Sequence, residues 1–202
     1  MKKTKDDADI TRQKILDAAM KIFSRDGYAN ARLEDIAAAA GVTRGAVYHH
    51  FGGKPEVYTA LLNERFHEAN SFFGELAAKG GTPKELLKRL TVGLLAYLEE
   101  NEDYRTVQEL VLFKTAYIPE LEEGMQYKVK STAAMVDYFE EIIKKGIACG
   151  EFKKEIDSRV AAISLLGMVS GASTLWLMDH HLFSIQNCAE KIIDLFIEGI
   201  GK

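Results

Sequence analysis

The spacing of apolar positions along the chain predicts helices throughout. In residues 9–25, apolar side chains recur every three or four positions and fall on one side of a helix, which Gly27 is expected to end. No stretch alternates between apolar and polar residues as a strand does, and the three prolines fall at predicted first turns of helices. We therefore predict an all-α chain of nine helices, with breaks at Gly80-Gly81 and around Gly146 and Gly150. The other predicted helices span residues 33–40, 44–51, 54–79, 83–100, 103–116, 119–148, 157–180 and 185–200.

Two short helices within residues 33–51 predict a helix-turn-helix. The apolar residues of 33–40 recur at i, i+3, i+4 and i+7, which places them on one buried stripe. Gly41 can adopt the left-handed backbone that turns a chain after a helix, and the hydroxyl of Thr43 can cap the next helix. A short turn containing glycine between two helices is the layout of this motif.

The second of these helices carries groups that suit a DNA groove. Val47 and Phe51 are four residues apart and are expected to anchor it to the core, so the other positions face outward. An arginine pairs with phosphate or guanine, a tyrosine hydroxyl donates to phosphate, and glycine lets a backbone approach closely. The same turn occurs in helical proteins that do not bind DNA, so spacing alone leaves both possibilities open. We predict phosphate contacts from Thr43, Tyr48 and Lys54 and base contacts from Arg44, Gly45 and His49.

The distribution of charge favours DNA binding by the N-terminal part. The whole chain carries a net charge of −4, but residues 1–54 hold ten Lys/Arg against seven Asp/Glu, a net +3, while the remainder is at −7. A local basic surface on an acidic body is typical of a small DNA-binding domain joined to another domain. Lys2, Lys3 and Lys5 form a short basic arm that either lies along phosphates or the minor groove, or is a solvated tail.

Residues 11–28 (TRQKILDAAMKIFSRDGY), residues 33–51 (LEDIAAAAGVTRGAVYHHF) and Lys54 resemble the TetR family of bacterial regulators. Segments near 109–123, 142–152 and 159–177 more loosely resemble its AcrR-like subgroup of multidrug-efflux repressors. That family usually has Ser or Thr just before the second helix, where this chain has Arg32. We expect either that Asn30 caps this helix instead or that Arg32 reaches phosphate directly. The matching positions are Gly27, Ile36, Ala37, Gly41, Val42, Thr43, Tyr48, His50, Phe51 and Lys54.

The resemblance implies a domain organisation and a dimer. We expect an N-terminal three-helix DNA-binding domain at residues 1–54, joined by a long helix to a helical effector-binding and dimerisation domain at residues 55–202. The predicted helix at 157–180 is rich in small residues, which let another helix approach closely. With the last helix (Ile185, Ile192, Ile193, Phe196 and Ile200), it is expected to pair with a second copy; the alternative is an internal contact that needs small residues.

The middle helices are rich in aromatic and methionine side chains, including Phe72, Phe73, Met125 and Met135. Ordinary core packing accounts for most such residues, whereas the resemblance implies an apolar pocket for a small apolar or aromatic effector. Gln108 and Thr115 are further candidates for polar lining. The candidate effector-binding residues are Phe66, Asn70, Tyr97, Phe113, Tyr117, Tyr138, Met168 and Trp176.

Little in the sequence indicates catalysis. Adjacent histidines on a helix point about 100° apart, so His49-His50 and His180-His181 do not predict metal sites. No phosphate-binding loop or nucleophile motif is found, and Cys149 and Cys188 lack metal or redox spacing, which predicts reduced thiols rather than a disulfide. We predict no enzyme, no cofactor, no metal and no membrane partner.

The prediction is thus a cytoplasmic homodimeric regulator that binds a palindromic DNA operator. The resemblance implies that it is a repressor released by a small effector, and the looser subgroup resemblance implies efflux genes as targets. Two other classes of function remain open. One is a small-molecule-binding helical protein that no longer binds DNA. The other is a sequence-tolerant DNA-coating protein without an effector, which would show steep salt dependence and little preference between sequences.

Overall fold

A computed structural model describes residues 5–115 and 119–202, and side chains are described except at residues 5, 119 and 123–128. The described residues form nine α-helices and one 3-10 turn, Pro119–Leu121, and their only bridge of the β type joins Phe152 to Gly201. The predicted all-α fold is confirmed. The helices are α1 (Lys5–Asn30), α2 (Leu33–Ala40), α3 (Arg44–Phe51), α4 (Lys54–Ala78), α5 (Pro83–Glu100), α6 (Glu102–Phe113), α7 (Glu122–Cys149), α8 (Ser158–Met178) and α9 (Ile185–Ile200).

Two predicted helix breaks are found close to where the sequence placed them. Gly27, with φ 73° and ψ 163°, interrupts the regular helix as expected, in a region of backbone space that is essentially open only to glycine, and helical bonding then resumes up to Asn30. Gly150, with φ 84°, lies where the chain leaves α7 after Cys149, next to the predicted end at residue 148. Gly146 lies inside α7, and a Cβ there would meet the Phe152 ring at 2.2 Å, so close packing and not the helix end requires this glycine.

Residues up to Glu68, with the segment from Asp103 to Met125, form one compact unit. In it α1 packs on α2 and α2 on α3, and the beginning of α4 and the end of α6 complete a single apolar core. Arg65 of α4 is only 8% exposed and ties these helices together, contacting Asp17 of α1 at 3.5 Å, Glu68 at 3.0 Å and Asp103 of α6 at 3.2 Å. The domain boundary between residues 54 and 55 remains a prediction.

The second unit comprises Ala69–Glu102 and Gln126–Lys202. Here α5 packs against α9, and Lys88 of α5 pairs with Asp194 of α9 at 2.8 Å. Glu99 of α5 accepts a bond of 2.7 Å from the backbone N–H of Gln186, which satisfies a donor in the first turn of α9. Gly93 lets α5 approach α4 closely, since a Cβ there would lie 2.4 Å from Leu76.

One face of α8 is exposed and carries small and apolar residues. Within the described residues, α8 is the one helix that is long and apolar enough to cross a membrane. In its most apolar 18-residue stretch, 33% is buried. Core helices of soluble proteins can have the same length and composition. The exposed residues of α8 recur at three- and four-residue spacing, which defines a single stripe. This α8 stripe consists of Val160, Ile163, Ser164, Gly167, Ser170, Gly171, Leu175 and Met178.

The apolar face that the sequence predicted for α9 in a dimer is partly an internal one. Ile185 and Ile193 are fully buried within the chain and Ile200 is 9% exposed, because the main apolar side of α9 packs against α5. The apolar side chain that α9 leaves most open is Leu195, at 71% exposure.

Candidate nucleic-acid interface

The turn between α2 and α3 is built by local backbone hydrogen bonds. Gly41 has φ 66° and ψ 33°, its N–H donates to the carbonyl of Ala38 at 3.1 Å, and the N–H of Val42 donates to that of Ala37 at 3.0 Å. This is the Schellman pattern that glycine favours at a helix end. Thr43 then accepts a bond of 3.1 Å from the N–H of Ala46, as the sequence predicted for the cap of α3. The turn therefore holds α3 at a defined angle to α2.

The structure places the predicted DNA-contacting residues of α3 on its solvent side. Val47 is fully buried and fixes the helix, whereas Arg44, Gly45, Tyr48 and His49 are exposed. A Cβ at Gly45 would meet only the Thr43 hydroxyl, at 3.8 Å, so nothing within the described residues requires a glycine there. The face therefore has a gap at Gly45 between its polar side chains.

Arg44 is folded back onto its own motif. Its guanidinium carbon lies 5.3 Å from the centroid of the Tyr48 ring, and Nη2 donates to the Tyr48 hydroxyl at 2.9 Å. Nη1 pairs with Glu34 of α2 at 2.5 Å. The bond to Tyr48 and the charge of Glu34 both raise the pKa of Arg44. Sequence reasoning missed Glu34, whose only signal is an acidic residue in the first turn of the helix before the predicted recognition helix.

Lys54 has a structural role that the sequence did not predict. Its ammonium donates to the carbonyls of Tyr28 at 2.9 Å, Ala29 at 3.3 Å and Ala31 at 3.2 Å, and lies 4.5 Å from the Tyr28 ring centroid. These carbonyls come at and just after the end of α1, where a cation is favoured. A phosphate contact by Lys54 therefore requires the exchange of at least one of these bonds.

The start of α2 lacks a side-chain cap. Arg32 occupies the N-cap position with extended backbone and makes no capping bond. Asn30 instead donates to the carbonyl of Asp26 at 3.2 Å, so the expectation that Asn30 caps α2 was wrong. Arg32 is exposed, in keeping with the alternative expectation of a direct phosphate contact. Of the basic arm, Lys2 and Lys3 and the side chain of Lys5 lie outside the described residues.

In the first unit, the candidate effector residues differ in exposure, and Thr115 makes a polar contact just after α6. Phe66 is half-buried, with its ring 6.4 Å from that of Tyr104, and Phe113 is 47% exposed. Thr115 donates to the carbonyl of Leu110 at 2.9 Å, so the 2.8 Å contact with Tyr58 must use the tyrosine hydrogen. Tyr117 lies outside the described residues.

In the second unit, the structure brings Tyr97 together with two phenylalanines. Its ring stacks on Phe72 at 4.6 Å and lies 6.3 Å from Phe73, and its hydroxyl accepts a bond of 3.0 Å from Asn101. The other candidate effector residues of this unit do not join this cluster through any ring contact seen in the described part of the chain. Asn70 is exposed, Tyr138 is 46% exposed, Met168 is half-buried, and Trp176 is 3% exposed and stacks on His180 at 4.4 Å.

The described residues contain neither a candidate metal cluster nor a disulfide. No group of three or more His, Cys, Asp or Glu side chains among them is placed to hold a metal ion. Cys149 and Cys188 are free thiols. Among the described residues, the exposed polar side chains that relate most clearly to a predicted function lie on the solvent side of α3.

Two family models match the chain. Residues 15–61 match the model for bacterial regulatory proteins of the tetR family, and residues 82–201 match the model for the C-terminal region of MAATS-type transcriptional repressors. The first match contains α2, α3 and the turn between them, and the second contains most of the second unit.

Full-length relatives agree with these matches. The HTH-type transcriptional regulator AcrR of Shigella flexneri is 31% identical over 202 residues, covering 98% of this chain and 92% of that protein. The structure of NalD, described as the secondary repressor of the MexAB-OprM multidrug efflux pump in Pseudomonas aeruginosa, is 26% identical with a TM-score of 0.85, covering 98% and 99%. A SmeT–triclosan complex is 30% identical with a TM-score of 0.80, covering 95% and 92%; SmeT is described as the repressor of the Stenotrophomonas maltophilia multidrug efflux pump SmeDEF.

These relatives are transcriptional regulators, and their similarity extends over both units rather than over the helix-turn-helix alone. The chain belongs to the TetR family of bacterial regulatory proteins.

Proposed function

We propose that this chain is a cytoplasmic, homodimeric transcriptional repressor that binds a palindromic operator and is released by a small apolar or aromatic effector. The observation that carries the proposal is the exposed face of α3, where Arg44, Tyr48 and His49 surround Gly45 on a helix fixed by Val47. Glycine inside a helix costs stability, and no internal contact among the described residues requires it there. Close approach of a DNA backbone supplies a reason for it.

The α3 face divides into phosphate and base contacts. Thr43 uses its oxygen to cap α3, so its hydrogen can be donated to a phosphate. The Tyr48 hydroxyl accepts from Arg44 and can donate its own hydrogen to another phosphate. Arg44 and His49 supply donors for base edges in the major groove, where arginine pairs with guanine. Arg32 and Lys54 add positive charge at the ends of the motif.

The α8 stripe supports the dimer. A Cβ at Gly167 or Gly171 would meet nothing within 4 Å, so both glycines leave open space that a helix of a second copy can enter. Around them, Val160, Ile163 and Leu175 expose more than half of their surface. Burial of this apolar surface favours association, and two copies of α3 are needed because one two-turn helix buries too little DNA for specificity.

The effector is proposed to be apolar or aromatic, and the regulated genes to include an efflux system. The cluster of Phe72, Phe73 and Tyr97 offers ring faces together with a hydroxyl that can orient a ligand. Two of the similar proteins are described as repressors of multidrug efflux pumps, and one of them forms a complex with triclosan.

The proposed link between effector and DNA is α4, which contributes its first residues to one unit and its last to the other. A tilt of α4 moves Lys54, and Lys54 is bonded to the end of α1 beside the DNA-binding helices. A preference of the effector for the tilted form by 1–3 kcal/mol, a typical coupling free energy, weakens operator binding by about 5- to 150-fold.

Fluorescence anisotropy of a labelled duplex tests this function. The duplex carries the DNA upstream of the gene, or the winner of a selection from random duplexes, and is compared with a scrambled duplex in the presence and absence of an aromatic panel that includes triclosan. We expect tight binding to one duplex and release by at least one compound. Equal binding to selected and scrambled duplexes would favour a DNA-coating protein. Ligand binding without any DNA binding would favour the small-molecule-binding alternative.

A further inference from the structure

Arg44, the strongest base-contacting candidate, has an acidic partner on the same surface. Its two terminal nitrogens are bonded to Glu34 and to Tyr48, and the guanidinium lies over the Tyr48 ring. Arg44 is 57% exposed and Glu34 54%, so both side chains reach the solvent that DNA would displace. The arginine is therefore held by other groups of the protein on the surface that DNA would cover.

The pair crosses the helix-turn-helix. Glu34 lies in the first turn of α2 and Arg44 in the first turn of α3, and the turn at Gly41 and the cap at Thr43 fix the two helices relative to each other. The pairing therefore follows from the backbone of the motif and does not depend on a flexible loop. The negative charge of this carboxylate would also repel the phosphates of a DNA that approaches α3.

We infer that Glu34 is an intramolecular competitor for Arg44, which lowers the DNA affinity of the free protein because the ion pair must break before Arg44 can reach a base or a phosphate. This inference rests on the proposed DNA-binding function. In this role Glu34 limits the affinity for the operator, and a weaker complex is more easily released by an effector.

The size of the effect follows from the exposure of the pair. Exposed ion pairs of this kind change an equilibrium by up to about fivefold. Each DNA-binding domain carries one pair, so removal of both in a dimer is expected to tighten operator binding by up to about 25-fold if the two domains act independently. Because salt screens exposed charges, the advantage shrinks as the salt concentration rises.

The test compares Glu34→Gln with Asp35→Asn by anisotropy on the selected duplex and the scrambled duplex. Gln keeps the shape of Glu and loses its charge. Asp35 is an exposed carboxylate in the same first turn of α2, so its variant loses the same charge at the same helix end. The pKa of Arg25 is raised mainly by Asp26 and only slightly by Asp35, whereas Glu34 pairs directly with Arg44. The difference between the variants therefore reports on Arg44.

A double-mutant cycle with Arg44→Ala completes the design, because coupling between two residues appears as non-additivity. We expect Glu34→Gln to tighten binding more than Asp35→Asn does, and to lose this extra gain in the Arg44→Ala background. Equal gains in both variants, a gain that persists without Arg44, or weaker binding by Glu34→Gln would each overturn the inference. Weaker binding would mean that Glu34 positions Arg44 on the DNA.

The same titrations separate the inference from the function on which it rests. If the wild-type protein does not distinguish the two duplexes and Arg44→Ala binds as well as the wild type, the proposed function fails and the inference fails with it. If the wild type discriminates and Arg44→Ala does not, the function stands, and the comparison of Glu34→Gln with Asp35→Asn decides the inference alone. Circular dichroism of each variant checks that α2 and α3 remain folded.

Discussion

At the scale of single residues, the α3 face leaves side chains and backbone accessible to DNA and is less stable as a result. Arg44 leaves its charge on the surface, held by Glu34, and Gly45 sits in a helix where a side chain would fit. The sequence predicted that these positions face outward, because Val47 and Phe51 set the buried side. It did not predict the partner of Arg44, because Glu34 lies ten residues earlier and meets it only through the geometry of the turn.

Gly45→Ala is expected to change stability and DNA binding in opposite directions. The new methyl group meets only the Thr43 hydroxyl at 3.8 Å and raises helix propensity, so the free energy of unfolding should rise by about 0.5–1 kcal/mol. The same methyl group obstructs the approach of DNA, so we expect operator affinity to fall about tenfold or more. Urea unfolding and anisotropy measure the two effects.

Gly74→Ala provides the matched control. Gly74 is an exposed residue of α4, and a Cβ there meets nothing within 4 Å. It should give a similar gain in stability with unchanged DNA affinity. If Gly45→Ala bound the operator as well as Gly74→Ala does, the proposed close approach at Gly45 would be wrong.

Tyr28 is expected to make the fold sensitive to alkaline pH. It is 1% exposed, and burial, together with the nearby Glu120, raises its pKa above the usual value of about 10. Because the raised pKa belongs to the folded state, the stabilisation is complete below about pH 10 and is lost as pH rises toward the folded pKa.

The Tyr28→Phe variant isolates this contribution. Between pH 10 and 11, the wild type should lose about 1 kcal/mol of unfolding free energy more than the variant, which has no hydroxyl to ionise there. Tyr58, whose pKa is also raised by burial, remains in both proteins and cancels. Equal pH slopes in urea titrations of the two proteins would show that Tyr28 ionises as readily in the folded state as in the unfolded one.

At the scale of elements, helices were predictable wherever a local signal marks the end. The bounds of α2, α3, α5 and α9 match the prediction because a glycine turn or a capping hydroxyl stands at their ends. The sequence predicted the interruption of α1 at Gly27 but not the tertiary contact there, since a Cβ at this position would lie 3.1 Å from the carbonyl of Lys114. That contact joins positions 87 residues apart, and no local pattern records it.

Lys54→Met is expected to loosen the junction between α1 and α4. It removes three bonds from a half-buried ammonium to carbonyls near the end of α1, so we expect the free energy of unfolding to fall by about 1–3 kcal/mol. Lys21→Met, which removes an exposed lysine from α1, should have little effect on stability. Unchanged stability together with weaker DNA binding would instead assign Lys54 to phosphate alone.

At the scale of the whole molecule, the sequence predicted partner-contacting faces on α8 and α9 but could not show which of them the chain itself covers. Small residues in α8 predicted a contact face, and the α8 stripe is indeed open. The isoleucines of α9 carried the same kind of apolar signal, yet two of those assigned to the dimer are fully buried against their own chain. Periodicity finds an apolar face without showing which neighbour covers it, and so it could not separate an internal contact from a contact between copies.

The proposed dimer can be tested through Ile163→Asp, which places a charge in the α8 stripe. Ile163 is 54% exposed, so the folded monomer should tolerate the change, whereas burial of an unpaired carboxylate between two copies is costly. We expect sedimentation to show a monomer at concentrations where the wild type is a dimer, and operator affinity to fall about 100-fold or more, because a single α3 remains per molecule. Lys84→Glu, at an exposed position in the first turn of α5, adds negative charge to the same unit and should leave both properties unchanged.

A wild-type protein that sediments as a monomer, or an Ile163→Asp variant that remains a dimer with full affinity, would exclude this stripe as the interface. Monomeric Ile163→Asp with undiminished operator binding would instead show that one α3 helix suffices, and would separate DNA binding from dimerisation.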